Sequence, residues 1–85
     1  MKDEQAKSKP ASEVRLGNIR AAIWRNEGKN GVWFTVTVER SYRNEQGEPH
    51  SSQSFGRDDL LSAAKVLDLA HSRIFELQAE ERIDG

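Results

Sequence analysis

From Val32 to Arg43 the chain reads Val-Trp-Phe-Thr-Val-Thr-Val-Glu-Arg-Ser-Tyr-Arg, and up to Val38 every residue is aromatic or β-branched. Such a run fits a pleated strand and little else. Period two places Phe34, Val36 and Val38 on one face and Trp33, Thr35, Thr37 and Glu39 on the other. Upstream, Ile19, Ala21 and Ile23 alternate with Arg20, Ala22 and Trp24 in the same manner. Gly28-Lys29-Asn30-Gly31 joins the two runs as a hairpin connection, because glycine and asparagine tolerate positive φ. Gly17, near the start of the first run, offers a cheap bulge or sharp bend. Asn44-Glu45-Gln46-Gly47 supplies the next turn, and after Pro49 a weaker, polar run suits an edge strand. The expected strands cover about 15–26, 32–43 and 50–56.

The period then changes. Asp58 and Asp59 can cap free amides and favour the positive end of a helix dipole. After them Leu60, Ala63, Ala64, Leu67, Ala70, His71, Ile74, Phe75 and Leu77 recur at helical spacing, with Val66 at the margin of the arc. This predicts a helix over about 58–79 and a polar, fraying end at 80–85. Residues 1–13 carry Pro10 and no periodicity, and read as a solvated tail before a single domain over 14–79. The fold class is therefore α+β: a curved antiparallel sheet followed by one long C-terminal α-helix. One helix can cover only one face of the sheet, and its apolar arc exceeds the ~100° that covering alone requires. Both points favour a homodimer, with Val66, Ala70, Ile74 and Leu77 as the expected interface, against a monomer with a few exposed leucines.

Composition narrows the function. Eighty-five residues hold one small domain with a thin core. No cysteine is present, so disulfides, thiolate metal sites and cysteine nucleophiles are excluded. No apolar run reaches the ~20 residues of a membrane span and no signal-peptide apolar region opens the chain, so a cytoplasmic location is expected. His50 and His71 have no partners at metal-ligand or catalytic spacing, and adjacent Asp58 and Asp59 do not face each other on a helix. No enzyme activity, metal or cofactor is expected. The net charge of −1 hides an asymmetry: residues 14–57 carry +3 and residues 58–85 carry −4. That split suggests a basic working surface backed by an acidic support.

The sheet face that the helix cannot reach should carry Arg20, Ala22 and Trp24 on one strand and Trp33, Thr35 and Thr37 on the next. Arg25 and Lys29 lie toward the hairpin, and Arg40 and Arg43 toward the far end. Rings interleaved with cations and hydroxyls suit a nucleic-acid single strand, since rings stack on bases and cations hold phosphates. A purely structural cross-strand pair of tryptophans, or a cover supplied by a second chain, accounts for the same residues.

The ordered motifs also resemble a known family. Val14-Arg15-Leu16-Gly17-Asn18-Ile19-Arg20, then Val36-Thr37-Val38-Glu39-Arg40-Ser41-Tyr42, then Asn44-Glu45-Gln46-Gly47-Glu48 are similar to the DNA-binding domain of transcriptional positive cofactor four, over roughly Val14 to Leu77. The resemblance implies a whirly-like homodimer that binds single-stranded or melted DNA, or RNA, with little sequence preference, in transcription, replication or repair. It implies Tyr42 as the aromatic at the end of the second long strand, with Arg40 and Arg43 as the basic residues around it. Joined to the reading of the sheet face, Trp24, Trp33 and Tyr42 are expected to stack and Arg20, Arg25, Lys29, Arg40 and Arg43 to hold phosphates, with Thr35 and Thr37 beside them. Glu39 stands where the family tends to place a base, Pro49 to Gln53 lacks the family's lysines and arginines, and the 28–31 connection is slightly longer. The alternative is a protein-interaction module of the same fold without nucleic-acid binding. Ser54-Phe55-Gly56-Arg57-Asp58-Asp59-Leu60 with Ala70-His71 also resembles a small uncharacterised bacterial group. Tyr42 shares parity with Val38, so its exposure on the binding face requires a bulge near Arg40; a regular strand sends it to the core side.

Overall fold

The computed structural model describes the backbone from Lys9 to Asp84 and side chains from Lys9 to Glu81. Four antiparallel strands form one open meander in the order β1-β2-β3-β4: β1 (Ser12–Leu16), β2 (Ile19–Gly28), β3 (Gly31–Arg43) and β4 (Pro49–Ser52). A 3-10 turn at Arg57–Asp59 leads into the single helix α1 (Leu60–Asp84). This is the α+β arrangement of sheet followed by helix that the periodicities require.

Several boundaries differ from the sequence reading. The run expected as one strand over 15–26 is a hairpin: Leu16 pairs with Ile19 around Gly17 and Asn18, and β1 takes in Ser12 and Glu13 of the expected tail. Gly17 turns the chain with φ of +62°, a left-handed conformation that costs glycine little. The rest of that tail, residues 1–8, lies outside the described residues. The last strand is shorter than 50–56, because Gln53 onward leaves the sheet to reach the helix. The helix starts at Leu60 after the 3-10 turn and runs past 79 to Asp84. Asp59 serves the entry: its Oδ2 accepts the Gly56 amide at 2.9 Å.

The register fixes what each face carries. Ile19, Ala21 and Ile23 of β2 lie opposite Arg40, Val38 and Val36 of β3 and opposite Leu16, Val14 and Ser12 of β1. Ile19, Ala21 and Ile23 are buried beneath Val66 and Ala70 of α1, with Val14, Phe34, Val36, Val38, Phe55, Ala63, Ile74 and Leu77 packed around them. Ala21 and Ala70 are both fully buried within this cluster.

The buried strip of α1 thus runs through 63, 66, 70, 74 and 77, a narrow seam at i, i+3, i+4 spacing. Val66, expected at the margin, is its centre and is fully buried. Val66 and Ala70 were expected in a dimer interface; the chain's own sheet covers them completely, and Ile74 and Leu77 pack on the same core. The apolar helix residues left exposed are Leu60, Leu61, Ala64, Leu67, Leu69 and Phe75, together with His71. The broad apolar arc divides, then, into a seam that folds the monomer and a flank that does not.

Because Ile23 is 0% exposed and Leu61 is 85% exposed, truncating them should differ sharply. Ile23→Ala is expected to lower unfolding free energy by about 2–5 kcal/mol and Leu61→Ala by under about 0.5 kcal/mol, read from urea melts with an unchanged m value.

Candidate nucleic-acid interface

The residues expected on one surface are divided between two. β3 is regular from its pairing with β2 through its pairing with β4, with Ile19 opposite Arg40 and Arg40 opposite Ser52. No bulge reverses the alternation, so the even positions of β3 face the helix side and the odd positions face outward. Arg20, Trp24, Trp33, Thr35, Thr37 and Arg43 share the outer face, with Arg15 of β1 and Asn26 of β2. Arg25, Arg40 and Tyr42 lie on the opposite, helix-bearing side. Lys29 sits in the hairpin turn.

On the outer face the two tryptophans are offset, not directly opposed: Trp24 faces Thr35 and Trp33 faces Asn26. Trp24 is half-buried and its indole Nε1–H donates to Thr37 Oγ1 at 3.0 Å. Trp33 is 50% exposed and its ring lies beside Gly28, where even a Cβ would come within 3.2 Å of Cζ3. Glycine at 28 is thus what lets that ring lie low on the sheet. Asn26 Nδ2 donates to Thr35 Oγ1 at 3.2 Å and lies within 3.4 Å of the Trp33 carbonyl and 3.3 Å of the Trp24 carbonyl.

Electrostatically this face is weaker than its arginines suggest. Arg20 lies opposite Glu39 and near Glu13, and its guanidinium contacts both carboxylates, at 2.8 Å and 3.3 Å. Arg15, Lys29 and Arg43 have no carboxylate within 4.0 Å among the described residues. Arg43 is held otherwise, Nη1 donating to the Gly47 carbonyl at 2.7 Å.

The helix side uses its cations differently. Arg25 was expected near the exposed hairpin; register with Phe34 turns it under the sheet, where Nε donates to Glu81 Oε2 at 2.7 Å and Nη2 to Oε1 at 3.2 Å. That hydrogen bond, opposed by desolvation and helped by charge, holds the Glu81 carboxyl below its ordinary 4.5. It raises Arg25 in turn, with Glu27 adding a smaller push. Arg40 Nε donates to the Ser54 carbonyl at 2.9 Å and lies 3.7 Å from Asp59 at the helix entry. Tyr42 is 41% exposed. Its ring stacks on His50 with centroids 5.7 Å apart, and the Arg40 guanidinium sits 5.3 Å above it. Asn44 Nδ2 approaches His50 Nε2 at 3.1 Å.

Arg15, Asn26 and His50 were not singled out in the sequence as site residues. Reading Gly17-Asn18 as a turn would have revealed Arg15, because it assigns β1 its own alternation. Pairing Tyr42 with His50 needed the β3–β4 register. Among the described residues no cluster of three or more His, Cys, Asp or Glu gathers as a metal site, and no helix is long and apolar enough to cross a membrane. Compared with the models of known protein families, with curated proteins and with solved structures, the chain matches none.

A carboxylate whose folded value is depressed stabilises above its unfolded value and loses that contribution as pH falls through the lowered one. Glu81→Gln is therefore expected to be less stable than wild type at pH 7. The gap between their urea midpoints should stay constant down to the ordinary carboxylate range and then close as pH drops below 4.5.

Proposed function

We propose that the outer sheet face binds single-stranded nucleic acid, DNA in the first instance, by stacking bases on Trp33 with Trp24 as its fixed neighbour. The observation that carries this reading is a half-exposed indole beside Gly28 on a sheet face that no element of the described chain covers. Thr35 and Thr37 offer hydroxyls along the same strand face, Lys29 lies in the adjoining hairpin turn, and Arg15 and Arg43 lie toward the far end of the same face, all three cations without carboxylate partners among the described residues. Stacking contributes roughly 1–3 kcal/mol per base and is indifferent to sequence. Arg20, held between two glutamates, orders the sheet more than it attracts phosphate. The resemblance to positive cofactor four supports the same reading from different residues, although Arg25, Arg40 and Tyr42 then lie outside the principal surface. Roles in transcription, replication or repair follow from that resemblance and belong to the proposal, as does the cytoplasmic setting expected from the sequence.

The neutralisation of Arg20 favours a second reading, a face that recognises protein instead of phosphate. The two differ in their salt response and their ligand. With three cations free of carboxylate partners among the described residues, affinity for oligothymidine should fall with a log–log salt slope of about −2, and Trp33→Ala should weaken binding by about tenfold or more. Tryptophan quenching titrations at low and moderate salt measure both. No quenching at low salt removes the nucleic-acid reading and leaves the protein-interaction one; affinity unchanged in Trp33→Ala moves the site elsewhere.

A further inference from the structure

Strand β3 is longer than its outer neighbour. β2 pairs with it from Gly31 to Arg40, whereas β4 pairs with it only from Arg40 to Arg43. Between Gly31 and Glu39 the other edge of β3 has no strand beside it among the described residues. Which backbone groups this leaves open is set by alternation. The Ser41 amide donates to Asn18 on the β2 side, so odd positions of β3 turn their backbone groups inward to β2. The even positions Val32, Phe34, Val36 and Val38 turn theirs to the open edge. Four amides and four carbonyls stand in a row there.

Natural edges are blunted by lysine, proline, bulges or inward charges. This one carries none of them: from 32 to 38 it reads Val-Trp-Phe-Thr-Val-Thr-Val, and its register is unbroken. Next to it, Val32 and Phe34 with Gln78 and Glu81 of α1 line an open cleft of about 400 Å³ on the helix side.

We propose that this edge pairs with the same edge of a second copy of the chain, antiparallel and centred on Thr35. The register is dictated by the length of the open edge, since Gly31 to Glu39 has Thr35 as its midpoint. Phe34 then lies opposite the second copy's Val36, and Val32 opposite its Val38. All four positions are ones whose backbone groups point outward, so every open amide meets a carbonyl. Centring on Val36 instead would run Val32 into β4 at Arg40 and forfeit that pair. Antiparallel self-pairing keeps like faces together, so helix-side valines meet helix-side Val32 and Phe34 at the mouth of the cleft. The two sheets join into one of eight strands. Nine edge residues per chain are fewer than the roughly 20–30 a side of a standard interface, so the association is of the weak class. This places the contact at β3, away from the helix seam that the monomer uses for its own core.

Thr35 is the residue that tests it. It lies on the outer face, exposed, and in this register it opposes its own copy in a non-hydrogen-bonded pair with Cα atoms about 4.5 Å apart. Sedimentation without nucleic acid, from about 1 to about 200 µM, should show wild type doubling its mass. Thr35→Lys and Thr35→Glu should each weaken association by about tenfold or more, because like charges oppose directly, and an equimolar mixture of the two should restore it. Variants whose circular dichroism matches wild type but whose mixture stays monomeric overturn the proposal. So does wild type that stays monomeric throughout, or either single variant that associates as wild type does. In wild type, amide exchange at Phe34 and Val36 should slow as concentration rises; exchange there that ignores concentration overturns it independently of any variant. None of these readouts involves oligonucleotide, so they stand or fall apart from the nucleic-acid reading.

Discussion

The structure depends on one contact, the setting of a narrow strip of α1 into the apolar face of β2. Ile19, Ala21 and Ile23 meet Val66 and Ala70, and these five residues form the buried cluster between helix and sheet. A chain this short has no second layer to spend on the other face of the sheet. The helix lies over β1 and β2 more than over β3, with the small side chains of Ala21 and Ala70 inside the buried cluster. Cover is therefore unequally distributed. Among the described residues the rows of β3 facing the helix are only half-buried, no element covers the outer face, and the outward edge of β3 has no strand beside it from Gly31 to Glu39.

The cations sort themselves around that contact. Arg40 ties the entry of the helix to β3 through Asp59 and the Ser54 carbonyl, Arg73 Nε donates to Ser12 Oγ of β1 at 3.2 Å, and Arg25 ties the last turns through Glu81. Half-exposed pairs of this kind contribute little to stability individually. Their effect is to commit three of the chain's arginines to the helix side, so that the outer face keeps few unpaired charges. Tyr42 belongs with them: its position over His50 and under Arg40 makes it part of a polar-aromatic rim at the far end of the helix side.

The alternation of β2 and β3 was legible in the sequence because each carries apolar residues on one parity only, and the helix was legible from its acidic start. Parity also implied that Tyr42 leaves the binding face unless a bulge intervenes, and the unbroken register shows that none does. Less was legible at Gly17, where a bend within a strand and a two-residue hairpin turn look alike in one sequence. The helix face was misjudged for a related reason. With leucine, alanine and phenylalanine scattered over half the circumference, periodicity gives an arc but not the few degrees of it that face the sheet. That choice is made by the volumes available over Ala21 and Ile23, which are properties of the partner surface.

Charge counted along the chain and charge counted on a face are different quantities here, and the difference bears on how the outer face can work. The +3 of residues 14–57 includes Arg25 and Arg40, which period two turns under the sheet, and Arg20, which Glu13 and Glu39 neutralise. A long-range field for phosphate is therefore small, and any affinity for a single strand must come mainly from rings. The two rings are not equivalent in this respect. Trp24 stands with a hydroxyl within reach of its N–H and is fixed by it, whereas Trp33 lies beyond that hydroxyl, over a glycine, with half its surface open. Parity alone treats them as a pair; the register makes one a framework residue and the other the available stacking surface.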